Sequence, residues 1–174
     1  MRKLVVALVF VLGVVALAVT FGLASDAGAT PSEPQQAAAA ATARYHSVEQ
    51  ALKDGYSGAG EPCVEVPGLG AMGYHYVNGP LIADGVIDPQ RPEILLYVPD
   101  ENGKLKLVGV EYFAVDEDQN LATSGDRPSL FGQPFDGPMP GHSPGMPIHY
   151  DLHVWLWETN AGGLFAPFNA ALSC

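Results

Sequence analysis

Cysteine occurs only twice in the 174 residues, at Cys63 and Cys174. An even pair in an exported chain reads as one disulfide rather than as a metal or redox centre. Closing so long a loop stabilises a fold by about 4–5 kcal/mol in the chain-entropy model. Basic residues are also scarce, 8 Lys and Arg against 19 Asp and Glu, for a formal net charge of −11. Nucleic acid and anionic membrane surfaces repel such a chain, and no basic run is present to reverse this. The motif-borne catalytic classes are missing too: there is no Gly-x-Ser-x-Gly nucleophile elbow, no phosphate loop and no His-Glu-x-x-His helix. Ser129 and Ser143 read as ordinary loop serines.

What is present begins at the N-terminus. Arg2 and Lys3 precede a charge-free apolar run from Leu4 to Val19, and small residues follow at Gly22, Ala24, Ala27 and Ala29. This is the layout of a secretory leader, so residues 1–29 are expected to be a signal peptide cleaved after Ala29 or Ala24. Leu4 to Ala24 also matches the roughly 20 residues that span a bilayer, which makes an uncleaved outward-facing anchor the alternative. Such an anchor is the one route by which this chain is expected to meet a membrane. The working protein is therefore expected to be secreted or extracytoplasmic, with its acidity serving solubility.

Residues 30–43 hold Pro31, Pro34, two glutamines and the alanine run 37–41, the composition of a low-complexity tether. Its second half is expected to enter a helix from Gln36 to Asp54, because Tyr45, Val48 and Leu52 share one helical face and Gly55 supplies a stop. Residues 44–174 read as a single α+β domain, one N-terminal helix packed on a mostly antiparallel sheet. Extended segments are predicted at 63–66, 70–78, 93–98, 104–115 and 148–158, the third and fourth joined as a hairpin by the turn Pro99-Asp100-Glu101-Asn102-Gly103. Asp116 to Pro147 carries five glycines and six prolines and is expected to be a long irregular loop, with Leu130, Phe131 and Phe135 anchoring it to the sheet.

Alternation along 148–158 sends Tyr150, Leu152, Val154 and Leu156 to a core face. His149, Asp151, His153, Trp155 and Trp157 fall on the other, a mixture suited to a partly hydrated pocket. His149 and His153 are about 13 Å apart on an extended strand and cannot share a metal. A site needs partners from other strands. His75 faces opposite to Tyr74 and Tyr76, and Glu111 interrupts the apolar run 107–115, where a carboxylate is costly unless paired or bound to a cation. If strand order brings them together, His75, Glu111 and His153 form the two-imidazole, one-carboxylate set of zinc and non-haem iron sites, for which a divalent transition metal would be the cofactor. The first reading of the cluster is a buried structural network in which Glu111 accepts from a neighbouring histidine or tyrosine; the metal site and a metal-free pocket lined by His75, Glu111, His149, His153 and Trp155 are the alternatives.

Two further metal readings arise in the loop. Met139, His142 and Met146 combine thioethers with an imidazole, a set suited to Cu(I), although the methionines also read as gap-fillers. Asp116, Asp118 and Asn120 open like a calcium loop, but Leu121 replaces the turn glycine and Arg127 stands where the closing glutamate belongs, leaving a solvated acidic turn.

Several segments carry a resemblance: Gly70-Ala71-Met72-Gly73-Tyr74-His75-Tyr76-Val77-Asn78, Arg91-Pro92-Glu93, Val110-Glu111-Tyr112, Leu130-Phe131-Gly132-Gln133 and Leu152-His153-Val154-Trp155-Leu156-Trp157, with Asn160, Gly163, Phe165 and Asn169 before Cys174. In these the chain resembles a family of exported bacterial proteins of unknown function, from about residue 44 onward. Ala161 and Ala170 stand where that family carries proline. The resemblance implies no reaction. The residues point first to a non-catalytic domain that binds a small ligand or metal ion. A metal-dependent enzyme and a structural envelope-interaction module are the alternatives.

Overall fold

The computed structural model describes residues 30–58 and 62–174. Its strands are β1 (Val64–Val66), β2 (Gly70–Val77), β3 (Ile94–Pro99), β4 (Leu105–Val115), β5 (Ser129–Leu130), β6 (Gln133–Pro134), β7 (Asp136–Met139) and β8 (His149–Val154). Six of them form one sheet in the order β1-β2-β3-β4-β8-β7, and every neighbouring pair is antiparallel. The β3–β4 hairpin forms as the turn chemistry dictates. Asp100 Oδ1 accepts from the backbone N–H of Asn102 and Lys104 at 2.8 and 2.9 Å, and Gly103 supplies a φ of 76°.

The single helix expected over 36–54 is instead three short pieces: α1 (Glu33–Thr42), a 3₁₀ turn (Ala43–His46) and α2 (Val48–Lys53). The break falls at Ser47, whose extended backbone and side chain, accepting from Gln50 N–H at 3.2 Å, start a fresh helix. Helix also begins earlier than expected. Ser32 and Gln35 form a reciprocal capping box ahead of the alanine run. A fourth piece, α3 (Gly79–Asp84), was not anticipated from the sequence, although its signals are local: Asn78 caps Leu81 N–H, Pro80 sits in the first turn and Gly85 closes it at φ 65°. The fold is thus an antiparallel sheet with a few short helices and one disulfide, compatible with α+β. Residues 31–174 make up its compact unit, taking in the segment read as a tether. Residues 1–29, expected to be a leader, lie outside the described residues, and among those described no helix is long and apolar enough to cross a membrane.

Alternation gives the sheet two unlike faces. One packs Leu95, Tyr97, Leu107, Val110, Tyr112, Tyr150, Leu152 and Val154 into the main core with Tyr45, Ala51, Tyr56 and Phe135. Tyrosine hydroxyls stitch this core to the backbone of distant segments: Tyr97 donates to Tyr45 O at 2.6 Å and Tyr56 to Pro92 O at 2.7 Å. The irregular segment 116–147 contributes to the same side. Phe131 (φ 55°) and Gly132 (φ 78°) make the tight turn of the β5–β6 hairpin, and the Phe131 ring lies 5.7 Å from that of Tyr112. After Phe135 the chain crosses the sheet edge as β7, so residues 139–147 reach the opposite face.

The C-terminal segment pairs with the start of β2, on the side away from β1. Ala71 and Asn169 form an isolated bridge, and a Cβ on Gly70 would fall 2.1 Å from Asn169 O, so only glycine permits this approach. Asn160 and Asn169 cross-brace the segment, donating to Phe168 O and Thr159 O at 2.9 and 3.1 Å. Cys63 and Cys174 form the expected disulfide, with Cα atoms 5.8 Å apart.

Candidate metal centre

Strand order converts three distant positions into one cluster. Val77, Ile94, Glu111 and His153 are successive Cα partners across β2, β3, β4 and β8, and His75 lies one same-face step along β2. Pairing keeps partners on one face, so His75, Glu111 and His153 all project to the side away from the main core. Glu111 Oε2 lies 3.1 Å from His75 Nε2 and 3.6 Å from His153 Nε2. One donor atom from each of the three residues falls within 4.8 Å of the others. Donors sharing an ion at bonds of about 2.0–2.2 Å sit roughly 3–3.6 Å apart, so two separations already match and the third needs a side-chain adjustment of about an ångström.

Glu111 and His153 are buried and His75 is half-buried. Burial disfavours charge on both Glu111 and His153. At Glu111 the imidazoles of His153 and His75 outweigh burial and hold the carboxyl well below its usual range. At His153 burial wins over the attraction of Glu111, and the imidazole titrates below its ordinary value. Near neutrality the cluster therefore offers an anionic carboxylate and a neutral imidazole, the protonation states that metal ligation requires. Neither ring nitrogen of His153 has a hydrogen-bond partner among the described residues, although both are buried. Asp151 lies 3.8 Å from His153 Nδ1, and burial together with Glu111 and Asp136 raises its carboxyl to about 8.

The cluster forms part of the wall of a cavity of about 700 Å³. Val77, Ile94 and Phe113 extend the sheet wall, Asp136 and Met139 come from β7, and His142, Pro144 and Met146 cover it from the loop. His149 lies in the same wall, its ring stacked on Phe113 at 4.7 Å.

No family model, curated protein or solved structure matches the chain. Function is therefore read from the site alone.

One expected pocket residue stands apart. Trp155 is absent from the cavity wall. Its indole is buried among Ile94, Leu96, Val98, Val108 and Phe113, and its Nε1–H donates to Ala166 O at 2.6 Å. Trp157, assigned by alternation to the same face, packs instead against the main core and meets the His46 ring at 4.5 Å. Trp155 thus keeps the expected face, beyond the end of the cavity, whereas Trp157 changes face because regular β8 ends at Val154, where Leu156 N–H turns back to Val154 O and Trp157 N–H reaches Val108 O. Period-two alternation does not survive the end of a strand. Conversely, Phe113, Met72 and Phe168 line the cavity without having been singled out as pocket residues. Phe113 shares the parity of Glu111, which was the available signal. The acidic turn read as a failed calcium loop is internally bonded: Asp116 and Asp118 both accept from Asn120 N–H at 3.0 Å, and Thr123 donates to Asp118.

Proposed function

We propose that the protein is an extracytoplasmic metal-ion-binding domain in which His75, Glu111 and His153 hold one divalent transition metal. The observation that carries this reading is the convergence of two imidazoles and a carboxylate from three strands, with neither buried ring nitrogen of His153 hydrogen-bonded among the described residues. A structural network would have satisfied those atoms, since an unpaired buried polar group costs about 1–3 kcal/mol. An ion accepting the lone pair of Nε2 removes that cost for this atom and leaves Nδ1–H facing Asp151, 3.8 Å away. Zinc or iron(II) suits the donor set. The compartment is inferred from the leader-like N-terminus and from the disulfide, which belongs to oxidising surroundings. The reading is one of binding, with no reaction assigned.

The purified protein, stripped with chelator and titrated with Zn²⁺ by calorimetry, is expected to take up one equivalent. His153→Ala is expected to abolish that uptake while leaving the far-ultraviolet dichroism unchanged. Absence of uptake by the unmodified protein would overturn the proposal.

A metal-dependent enzyme is the second reading, favoured by the cavity. Three protein ligands leave open positions on an ion, and about 700 Å³ of space adjoins them. Its signature would be turnover of a small molecule that disappears with the metal.

A further inference from the structure

The far end of the same cavity carries donors of a different character. His149 is fully buried, and its Nδ1 lies 3.1 Å from Pro147 O. A carbonyl can only accept, so Nδ1 carries the proton and Nε2 of the neutral ring keeps its lone pair. That lone pair has no hydrogen-bond partner among the described residues. Fixing one ring nitrogen on a backbone carbonyl is the arrangement that orients metal-ligating histidines. Phe113 stacks on the ring at an interplanar angle of 18° and holds its plane.

Three further potential donors line the same cavity. Met139 is the cross-strand partner of His149 between β7 and β8, so both side chains share a face. The His142 ring meets the His149 ring edge-on at 5.2 Å. Met146 is brought in by a tight fold of the loop: its N–H bonds Ser143 O at 3.1 Å, and a Cβ on Gly141 would fall 2.0 Å from Met146 O. Met139, His142 and Met146 all line the cavity with His149.

We propose a second, soft-metal site here, in which His149 Nε2, His142 and the thioethers of Met139 and Met146 bind Cu(I). Imidazole and thioether nitrogen–sulfur sets select Cu(I) over the harder divalent ions that carboxylates favour. The site draws on none of the residues assigned to the divalent ion, so the two stand or fall separately. The protein would then carry two metals of opposite character in one cavity, one on sheet residues and one capped by the loop.

The test is anaerobic competition for Cu(I) against bicinchoninate, with the protein first loaded with one equivalent of Zn²⁺. The unmodified protein is expected to withdraw one equivalent of Cu(I) from the probe, and copper-edge X-ray absorption is expected to show sulfur neighbours. The double variant Met139→Leu with Met146→Leu, which conserves volume, is expected to lose at least about tenfold in Cu(I) affinity, the loss that even outer-shell partners produce. His149→Gln supplies an independent variant with the same expectation. His153→Ala is expected to keep Cu(I) binding, whatever its effect on zinc. Failure of the unmodified protein to compete, or equal affinity in the double-leucine variant, would overturn the proposal without touching the divalent site.

Discussion

Strand β8 divides its side chains between two environments that treat polar atoms differently. On the packed side the tyrosine hydroxyls find acceptors far along the chain: Tyr112 donates to Pro89 O and Tyr150 to Asp126 Oδ1, at 2.7 and 2.8 Å. Trp157 Nε1 is the exception there. On the cavity side His149 Nε2 and both nitrogens of His153 are buried without a partner among the described residues. The two faces share one backbone and one register, so the difference lies in the side chains each presents and in what packs against them. A face closed by protein atoms satisfies itself, and unpaired buried polar atoms on the other face are what the proposed metal site would use.

Adjacent substitutions separate the faces most sharply. Leu152→Ala removes a buried core side chain and is expected to cost about 2–5 kcal/mol in denaturant unfolding, the range for large-to-small core changes. His153→Ala, one residue on, is expected to cost far less in metal-free protein, because it also deletes unpaired buried atoms. An equal loss at both positions would erase the contrast between faces.

The buried glutamates extend the comparison. Glu93, 1 % exposed, accepts from Phe113 N–H, yet burial still raises its carboxyl from 4.5 to about 7. Glu111 moves the opposite way under its two imidazoles. With the folded value above the unfolded one, Glu93 lowers stability as pH rises from about 4.5 to about 7, by up to about 3 kcal/mol at roughly 1.4 kcal/mol per unit. Glu111 has the reverse sign: its contribution is present above the unfolded value and is lost on acidification. The pH dependence of stability measured from pH 4 to 8 is expected to flatten between about 4.5 and 7 in Glu93→Gln. An unchanged profile would remove Glu93 as the source.

Metal gives a comparable effect confined to the cavity side. Free Zn²⁺ at about 100 times its dissociation constant is expected to stabilise the protein by about 2.7 kcal/mol, and His153→Ala to abolish that gain. Thermal unfolding with and without zinc measures both. The smallest effect belongs to the packed side: Tyr97→Phe deletes the bond to Tyr45 O and is expected to cost about 1 kcal/mol without altering zinc uptake.

How readable these features are in the sequence follows from the range of the forces involved. The β3–β4 hairpin and the Cys63–Cys174 bond were accessible because turn chemistry is local and two cysteines allow one pairing. His75, Glu111 and His153 stood out individually, as a histidine opposite tyrosines and a carboxylate in an apolar run. Their meeting depended on β8 pairing with β4, a contact between segments about 40 residues apart that no local pattern encodes. The α2 break at Ser47 was missed because the apolar repeat of Tyr45, Val48 and Leu52 runs across it. The short strands β5 to β7 were hidden by proline and glycine, which mark irregular chain even where edge pairing tolerates them.

The row formed by Val77, Ile94, Glu111 and His153 has an implication for assembly of the chain. A slip of one residue between β4 and β8 would turn His153 toward the tyrosines and leave Glu111 opposite a hydrocarbon. An ion bridging β2, β4 and β8 could load only after all three had aligned, so its capture would act as an inspection of the finished sheet, passing correctly threaded molecules and ignoring the rest.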